Sequence, residues 1–212
     1  MALSQSFSAG LPSPVGDFWG LEPLSGRLVE ISGHRASANL TVAFGLVLEA
    51  QGKDEPVAWV TLVQSTFFPP DAAESGIDLG RLAVVRVSDG IAACRAVVEL
   101  TRSGGFGLVV LDLGPSALVL TKAERLPKKR GGISVPFITK LVGLAQKTST
   151  AVVVLTEKTR ESSSLNSLIS LRCEARRSPD KPCEVEIDVI KDKRRGPGRR
   201  YREVCRAPAG LR

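Results

Sequence analysis

Gly33, Ala38, Asn39 and Leu40 occupy the frame of a phosphate-binding loop while lacking its chemistry. A loop of that kind reads Gly, four residues, then Gly-Lys-Ser/Thr. Its backbone N–H groups and lysine cradle phosphates, and its hydroxyl holds magnesium. Here the first glycine stands at Gly33, but the second is Ala38, the lysine is Asn39 and the hydroxyl position is Leu40. Much further on, the apolar run from Leu108 ends in Asp112, where a carboxylate would support the same metal. Losing one charge-assisted contact to a buried phosphate costs on the order of 2–5 kcal/mol, and here the lysine and the magnesium ligand are both replaced. The residues therefore lead us to expect no nucleotide hydrolysis, no catalytic residue, no bound cofactor and no metal. A rebuilt phosphate site would have to draw its charge from His34 or Arg35.

The elements that would position these residues alternate as in an α/β domain. Leu28–Ile31 reads as a strand, followed by a helix over Ala36–Gln51 with Leu40, Phe44, Val47 and Leu48 at helical spacing. Val57–Val63 is a second strand, Asp71–Ser75 a short helix behind Pro69-Pro70, and Leu82–Val87 a third strand. Asp89 caps a helix running to Arg102, with Ile91, Cys94, Val97, Val98 and Leu100 as its inner face and Gly104-Gly105 ending it. Leu108–Leu113 is a continuous apolar run typical of a parallel strand covered on both faces. A basic segment, Lys122–Arg130, precedes a helix over Ser134–Lys147 and a fifth strand over Ala151–Leu155. Glu157–Ser164 reads as a polar, mobile loop and Leu165–Ser170 as a turn or short helix. Leu171–Arg177 and Glu184–Asp192 then alternate around Ser178-Pro179-Asp180 as an antiparallel hairpin, and Tyr201–Cys205 forms a last strand. The expected fold is α/β: a central, mostly parallel sheet flanked by helices, with an antiparallel extension over 171–206. Residues 1–26, rich in Ser, Gly and Pro, form an extended lead-in, residues 27–206 the core, and 207–212 a tail. No internal repeat is present.

Length and charge narrow the class. A chain of 212 residues with 43% hydrophobic content can bury the core of one domain. Its net charge of +7 favours an acidic partner, nucleic acid or otherwise, although the same charge also serves plain solubility. Cys94, Cys173, Cys183 and Cys205 form no CxxC pair, and one histidine accompanies them, which argues against zinc and for a reducing cytoplasm. Cys173 and Cys183 either face each other on the hairpin or are buried free thiols. No apolar run approaches the roughly 20 residues that span a bilayer, and the first residues lack the pattern of a signal peptide.

Several strings, in this order, resemble the RecA recombinase core over roughly residues 20–206. LSGRLVEISG looks like its strand entering the P-loop, and VAWVTLVQSTFFPPDAAESGIDLGRLAVVRVSDG like the segment carrying its catalytic glutamate. LVVLDLG looks like the Walker B strand, AVVVLTEKT like the strand before the second DNA loop, and VIKDKRRGPG like the basic turn ending the core. The resemblance implies a P-loop core in which the catalytic glutamate position falls on Val63 and the polar sensor on Thr156 or Glu157. The filament-forming N-terminal elements have no counterpart.

Within RecA-like proteins the pattern looks most like the ImuA family, the accessory proteins of a bacterial mutagenesis cassette. That resemblance implies a cytoplasmic, nucleoid-associated role in the SOS response and translesion synthesis. The implied partners are RecA, ImuB and the associated DnaE-type polymerase, or DNA. SulA-type division inhibitors share parts of the core and supply an alternative, as does a weak DNA-dependent ATPase. Two basic clusters could touch DNA. One is Lys122, Arg125, Lys128, Lys129 and Arg130; the other centres on Lys193, Arg194, Arg195, Arg199 and Arg200, with Lys191 and Arg202 beside them. With Tyr201 as the one aromatic nearby, binding there would be phosphate-led and salt-dependent. The same residues would equally dock an acidic protein or stand as a solvated surface. A sheet edge left uncovered would offer a pairing surface to a second copy or to RecA.

Overall fold

The computed structural model describes residues 19–34, 37–63, 67–113, 135–178, 180–181 and 183–204. One eight-stranded sheet runs through them in the order β3-β2-β4-β5-β1-β6-β7-β8. The strands are β1 (Leu28–Gly33), β2 (Val57–Leu62), β3 (Leu82–Val87), β4 (Leu108–Asp112), β5 (Ala151–Glu157), β6 (Leu171–Arg177), β7 (Glu184–Asp192) and β8 (Arg200–Val204). Pairing is parallel from β3 through β6 and antiparallel for β6–β7 and β7–β8. The expected mixed sheet is therefore present, and the apolar runs of β4 and β5 are buried on both faces.

Two apolar layers sandwich the sheet. Helices α1 (Leu21–Leu24), α2 (Asn39–Gly52) and α3 (Pro69–Glu74) cover one face; α4 (Gly90–Ser103) and α5 (Val135–Thr148) cover the other. The aromatic rings of Phe44, Trp59 and Phe67 pack with centroids 5.0–6.3 Å apart and fix α2 over β2. Asp89 accepts the Ala92 N–H at 2.9 Å as the N-cap of α4, and Gly104 ends that helix at φ +69°, a conformation that glycine adopts without steric cost.

Several details depart from the expectation. Leu21–Leu24 makes one helical turn within the stretch read as extended, because Leu21 and Leu24 both find the core beside α2. The first residue of α1 is further tied down, since the Leu21 N–H donates to Glu49 at 2.7 Å. Helix α2 begins at Asn39, not Ala36, and buries Val42, Ala43, Leu46 and Ala50 as well as Phe44 and Val47. Lying between sheet and solvent over several strands, it needs a broader apolar face, and Leu48 is left exposed. On α4, Ile91 is exposed because the first turn projects past the sheet, while Ala93 and Thr101 take inner positions. Glu157 completes β5 and does not begin a loop. Cys94 and Cys173 are buried free thiols, whereas Cys183 is exposed and unpaired at the hairpin end. Cys173 sits opposite Val189, so the hairpin register keeps the two cysteines apart.

Candidate functional site at the carboxyl ends of the strands

In open α/β sheets the crevice beyond the carboxyl ends of the strands is where ligands bind. Gly33, Val63, Asp112, Thr156 and Glu157 all stand at that end, on or just beyond β1, β2, β4 and β5. The resemblance brought these positions together, and the topology does the same.

Ser37 and Ala38, which lead into α2, lie against β6. The Ala38 N–H donates to the Ala175 carbonyl at 3.1 Å, and Ser37 bridges Arg176 in antiparallel fashion. The Asn39 side-chain amide donates to the Thr156 carbonyl at 2.9 Å, and the Asn39 N–H donates to Ser37 Oγ at 3.3 Å. Two backbone donors that a phosphate-holding loop would turn inward are thus spent within the protein, Ala38 on a carbonyl and Asn39 on a hydroxyl. Space is closed as well. A Cβ placed on Gly33 would meet Ser37 Oγ at 2.4 Å, Asn39 Oδ1 at 2.7 Å and the Ala175 carbonyl at 3.0 Å. Asn39 is 7% exposed, and its Oδ1 is buried with no hydrogen-bond partner among the described residues. That atom is an acceptor, so it would repel a phosphate oxygen. Leu40 packs at the edge of the core, and His34 is exposed. Arg35 lies outside the described residues.

The other positions are enclosed or turned outward. Asp112 is 2% exposed and accepts Thr61 Oγ1 at 3.5 Å. Val63, at the glutamate position, is 59% exposed and its N–H donates to the Val87 carbonyl. Thr156 is buried, and its hydroxyl donates to Glu30 at 3.0 Å.

Glu30 leads into a buried polar layer that composition alone did not reveal. Its carboxylate is fully buried and contacts Lys158 Nζ at 2.5 Å, while accepting the Leu165 N–H at 2.9 Å. Burial pulls the Lys158 ammonium below its usual range, against the opposing attraction of Glu30. Arg172, also buried, reaches Ser32 Oγ and the carbonyls of Thr159 and Ser162. The segment after β5, read as a mobile loop, is therefore pinned to β1 and β6 by two buried cations. A cue existed in the sequence: Glu30 is a lone charge inside an otherwise uncharged strand, LVEISG.

The basic clusters divide. Lys122, Arg125, Lys128, Lys129 and Arg130 lie outside the described residues. Lys193, Arg194 and Arg195 are exposed at the turn after β7. Arg199 is half-buried and bound to Asp192 at 2.7 Å, and Asp192 also takes buried Arg27 at 2.6 Å. Arg200 lies 2.5 Å from Asp188, which Arg160 and Arg176 share at 3.0 and 2.8 Å. Burial pushes the Asp188 carboxyl up, but these three guanidiniums outweigh it and hold it below the usual carboxylate range. Arg199 and Arg200 of the second cluster are thus engaged in building the sheet extension. Among the described residues no helix is long and apolar enough to cross a membrane, and no group of acidic, His and Cys side chains could hold a metal.

No protein-family model matches the chain. It is similar to RecA proteins: 30% identical over 128 residues to that of Ruminococcus albus, covering 60% of this chain and 31% of that protein. To the RecA of Chlorobium chlorochromatii it is 28% identical over 140 residues, or 62% and 38% of the two chains. To that of Thermotoga petrophila it is 30% identical over 143 residues, or 64% and 39%. The chain matches between about a third and two-fifths of these relatives' length. Together with the parallel sheet and its antiparallel extension, the similarity makes this chain a distant relative of RecA with a RecA-like α/β core.

Proposed function

We propose that this chain is a non-catalytic, RecA-like accessory factor of the ImuA type. It serves damage-induced, error-prone translesion synthesis by binding RecA, an ImuB-type protein and the associated DnaE-type polymerase. The observation that carries the non-catalytic part is the entry to α2 lying against β6, with the Ala38 N–H on the Ala175 carbonyl and Asn39 Oδ1 facing Gly33. The lysine and hydroxyl that would recruit a triphosphate are absent from Asn39 and Leu40, and Ser37 Oγ, Asn39 Oδ1 and the Ala175 carbonyl crowd Gly33. A core of this kind would act by touching other macromolecules.

A protein partner is favoured by β3, an edge of the sheet among the described residues, with Val84 exposed on it and Val63 and Leu79 exposed on the segments next to it. An uncovered strand with apolar neighbours is a pairing surface. Titration calorimetry with ATP and turnover assays with single-stranded DNA test the reading. No saturable heat and no turnover are expected; turnover abolished by Asp112→Ala would overturn it. A pull-down from damaged cells, with nucleic acid digested away, tests the partners.

A second reading, direct DNA binding, draws on the exposed Lys193, Arg194 and Arg195. Reversing Arg194 and Arg195 together with Lys128 and Lys129 to Glu should abolish binding at low salt; unchanged binding would eliminate it.

A further inference from the structure

At the sheet's other edge, carboxylates on β7 face a basic row on β8. On one face of the extension, Arg176 of β6 stands opposite Glu186 of β7, and Glu186 opposite Arg202 of β8. One step along, Glu174 stands opposite Asp188, and Asp188 opposite Arg200. The carboxylates lie low in this face, with side chains 6–21% exposed, whereas the Arg200 and Arg202 guanidiniums are 53% and 61% exposed. Beyond β8 no further strand is present among the described residues. The acid–base sequence across the strands therefore ends on an exposed basic row.

The outer backbone of β8 meets no further strand among the described residues. Val189 donates its N–H to the Arg199 carbonyl at 2.8 Å. In an antiparallel ladder the pairs that exchange backbone bonds alternate. Ile187–Tyr201 and Val185–Glu203 are then the bonded pairs, and the N–H and C=O groups of Arg200, Arg202 and Val204 point away from β7. On the opposite face, Tyr201 packs against Trp19 with ring centroids 6.0 Å apart, presenting an apolar neighbour to any added strand.

From these we infer that β8 is the docking edge for an extended acidic peptide segment of a partner protein. The segment adds a ninth strand, with Asp or Glu beside Arg200 and Arg202 and apolar side chains toward Tyr201. Strand addition of this kind takes affinity from main-chain bonds and specificity from alternate side chains. A peptide is favoured over nucleic acid because only a peptide supplies donors and acceptors in the register of a strand edge. The inference is independent of the nucleotide reading, since a protein with a working phosphate loop could carry the same edge.

The test is fluorescence anisotropy on the full chain with a short labelled peptide of alternating Glu and Val. Saturable binding is expected. A Lys–Val peptide, and a Glu–Val peptide N-methylated on the amides of one edge, should each bind at least about tenfold more weakly. Arg202→Glu should lose a similar factor while keeping its circular dichroism, because Arg202 is well exposed and meets its carboxylates at 3.5 and 3.6 Å. Three results would each overturn the proposal. They are the absence of saturable binding, equal binding of the N-methylated peptide, and displacement of the peptide by an oligothymidylate of equal charge, which would mark a nucleic-acid surface. The N-methylated peptide needs no variant, so the proposal stays refutable if Arg202→Glu fails to fold.

Discussion

Gly33→Ala measures whether the loop over β6 is closed in solution. The added methyl carbon would lie 2.4 Å from Ser37 Oγ, 2.7 Å from Asn39 Oδ1 and 3.0 Å from the Ala175 carbonyl. The first atom sits on a short rotatable side chain and can move away. The second is held by the Asn39 amide on the Thr156 carbonyl, and the third is backbone inside β6. Overpacking of this sort costs typically about 1–3 kcal/mol, and two of the three obstacles cannot yield cheaply, so we expect about 2 kcal/mol. For a chain of this size that lowers the melting temperature by roughly 4–8 °C. Ser37→Ala in the same background should recover less than half of the loss. Urea unfolding followed by circular dichroism gives both numbers. A Gly33→Ala variant within about 0.5 kcal/mol of the parent would refute the reasoning, because it would mean that Ser37 and Asn39 stand away from Gly33 and leave a cavity there.

Lys158→Met should be among the most destabilising changes, at about 3–5 kcal/mol, because it leaves the fully buried Glu30 carboxylate without its ammonium partner; chemical denaturation reads it. Asp89→Ala should cost about 1 kcal/mol through loss of the α4 N-cap, read by the same method. Asp188 and Asp192 are held below their usual range, Asp192 by the Arg194 N–H and Arg27 acting against burial. Their contribution is present above the ordinary carboxylate pKa and lost as pH falls through the lower folded value, so unfolding midpoints should drop in acid, and Asp188→Asn should flatten that drop. Glu203 has the opposite sign: burial, then Glu49, raises its carboxyl, so its contribution is present at low pH and lost as pH rises through the folded value. Glu203→Gln should remove that loss. Cys94, raised to about 12 by burial, should resist alkylation in the native state while exposed Cys183 reacts, as mass spectrometry of the labelled protein would show.

Much of the fold was legible because period and burial agree along it. Leu82–Val87, Leu171–Arg177 and Glu184–Asp192 begin and end where alternation and turn residues place them. The start of α2 was not legible, because it is decided by the Ala175 carbonyl, far off in sequence, which draws the Ala38 N–H out of the helix. The candidate site was legible in position, from Gly33 and Asp112 at strand ends, but not in state. Loss of a lysine says that phosphate is held less strongly; only the contacts of Ser37, Ala38 and Asn39 say that the loop has found other partners. The basic C-terminal stretch looked like a uniform cationic surface because sequence spacing does not reveal that Asp188 and Asp192 stand beneath Arg200 and Arg199.

Those other partners bear on whether a phosphate-holding loop could be built here. Opening the loop for a triphosphate would break the Asn39–Thr156 bond and the Ala38–Ala175 bond, the latter being part of the Ser37–Arg176 bridge. At about 1 kcal/mol net for each such interaction, the closed state is favoured by roughly 2 kcal/mol. A ligand that binds only the open state loses affinity by the corresponding factor, on the order of thirtyfold. Asn39→Lys with Leu40→Thr returns the missing side chains and removes one of the two restraints, but the backbone contact to β6 remains. The double variant should therefore bind ATP measurably by calorimetry, yet weakly, and should tighten further when Ser37→Gly loosens the bridge to Arg176. Tight binding by the double variant alone would mean that the loop opens freely, and that the lost lysine and hydroxyl were the whole of the barrier.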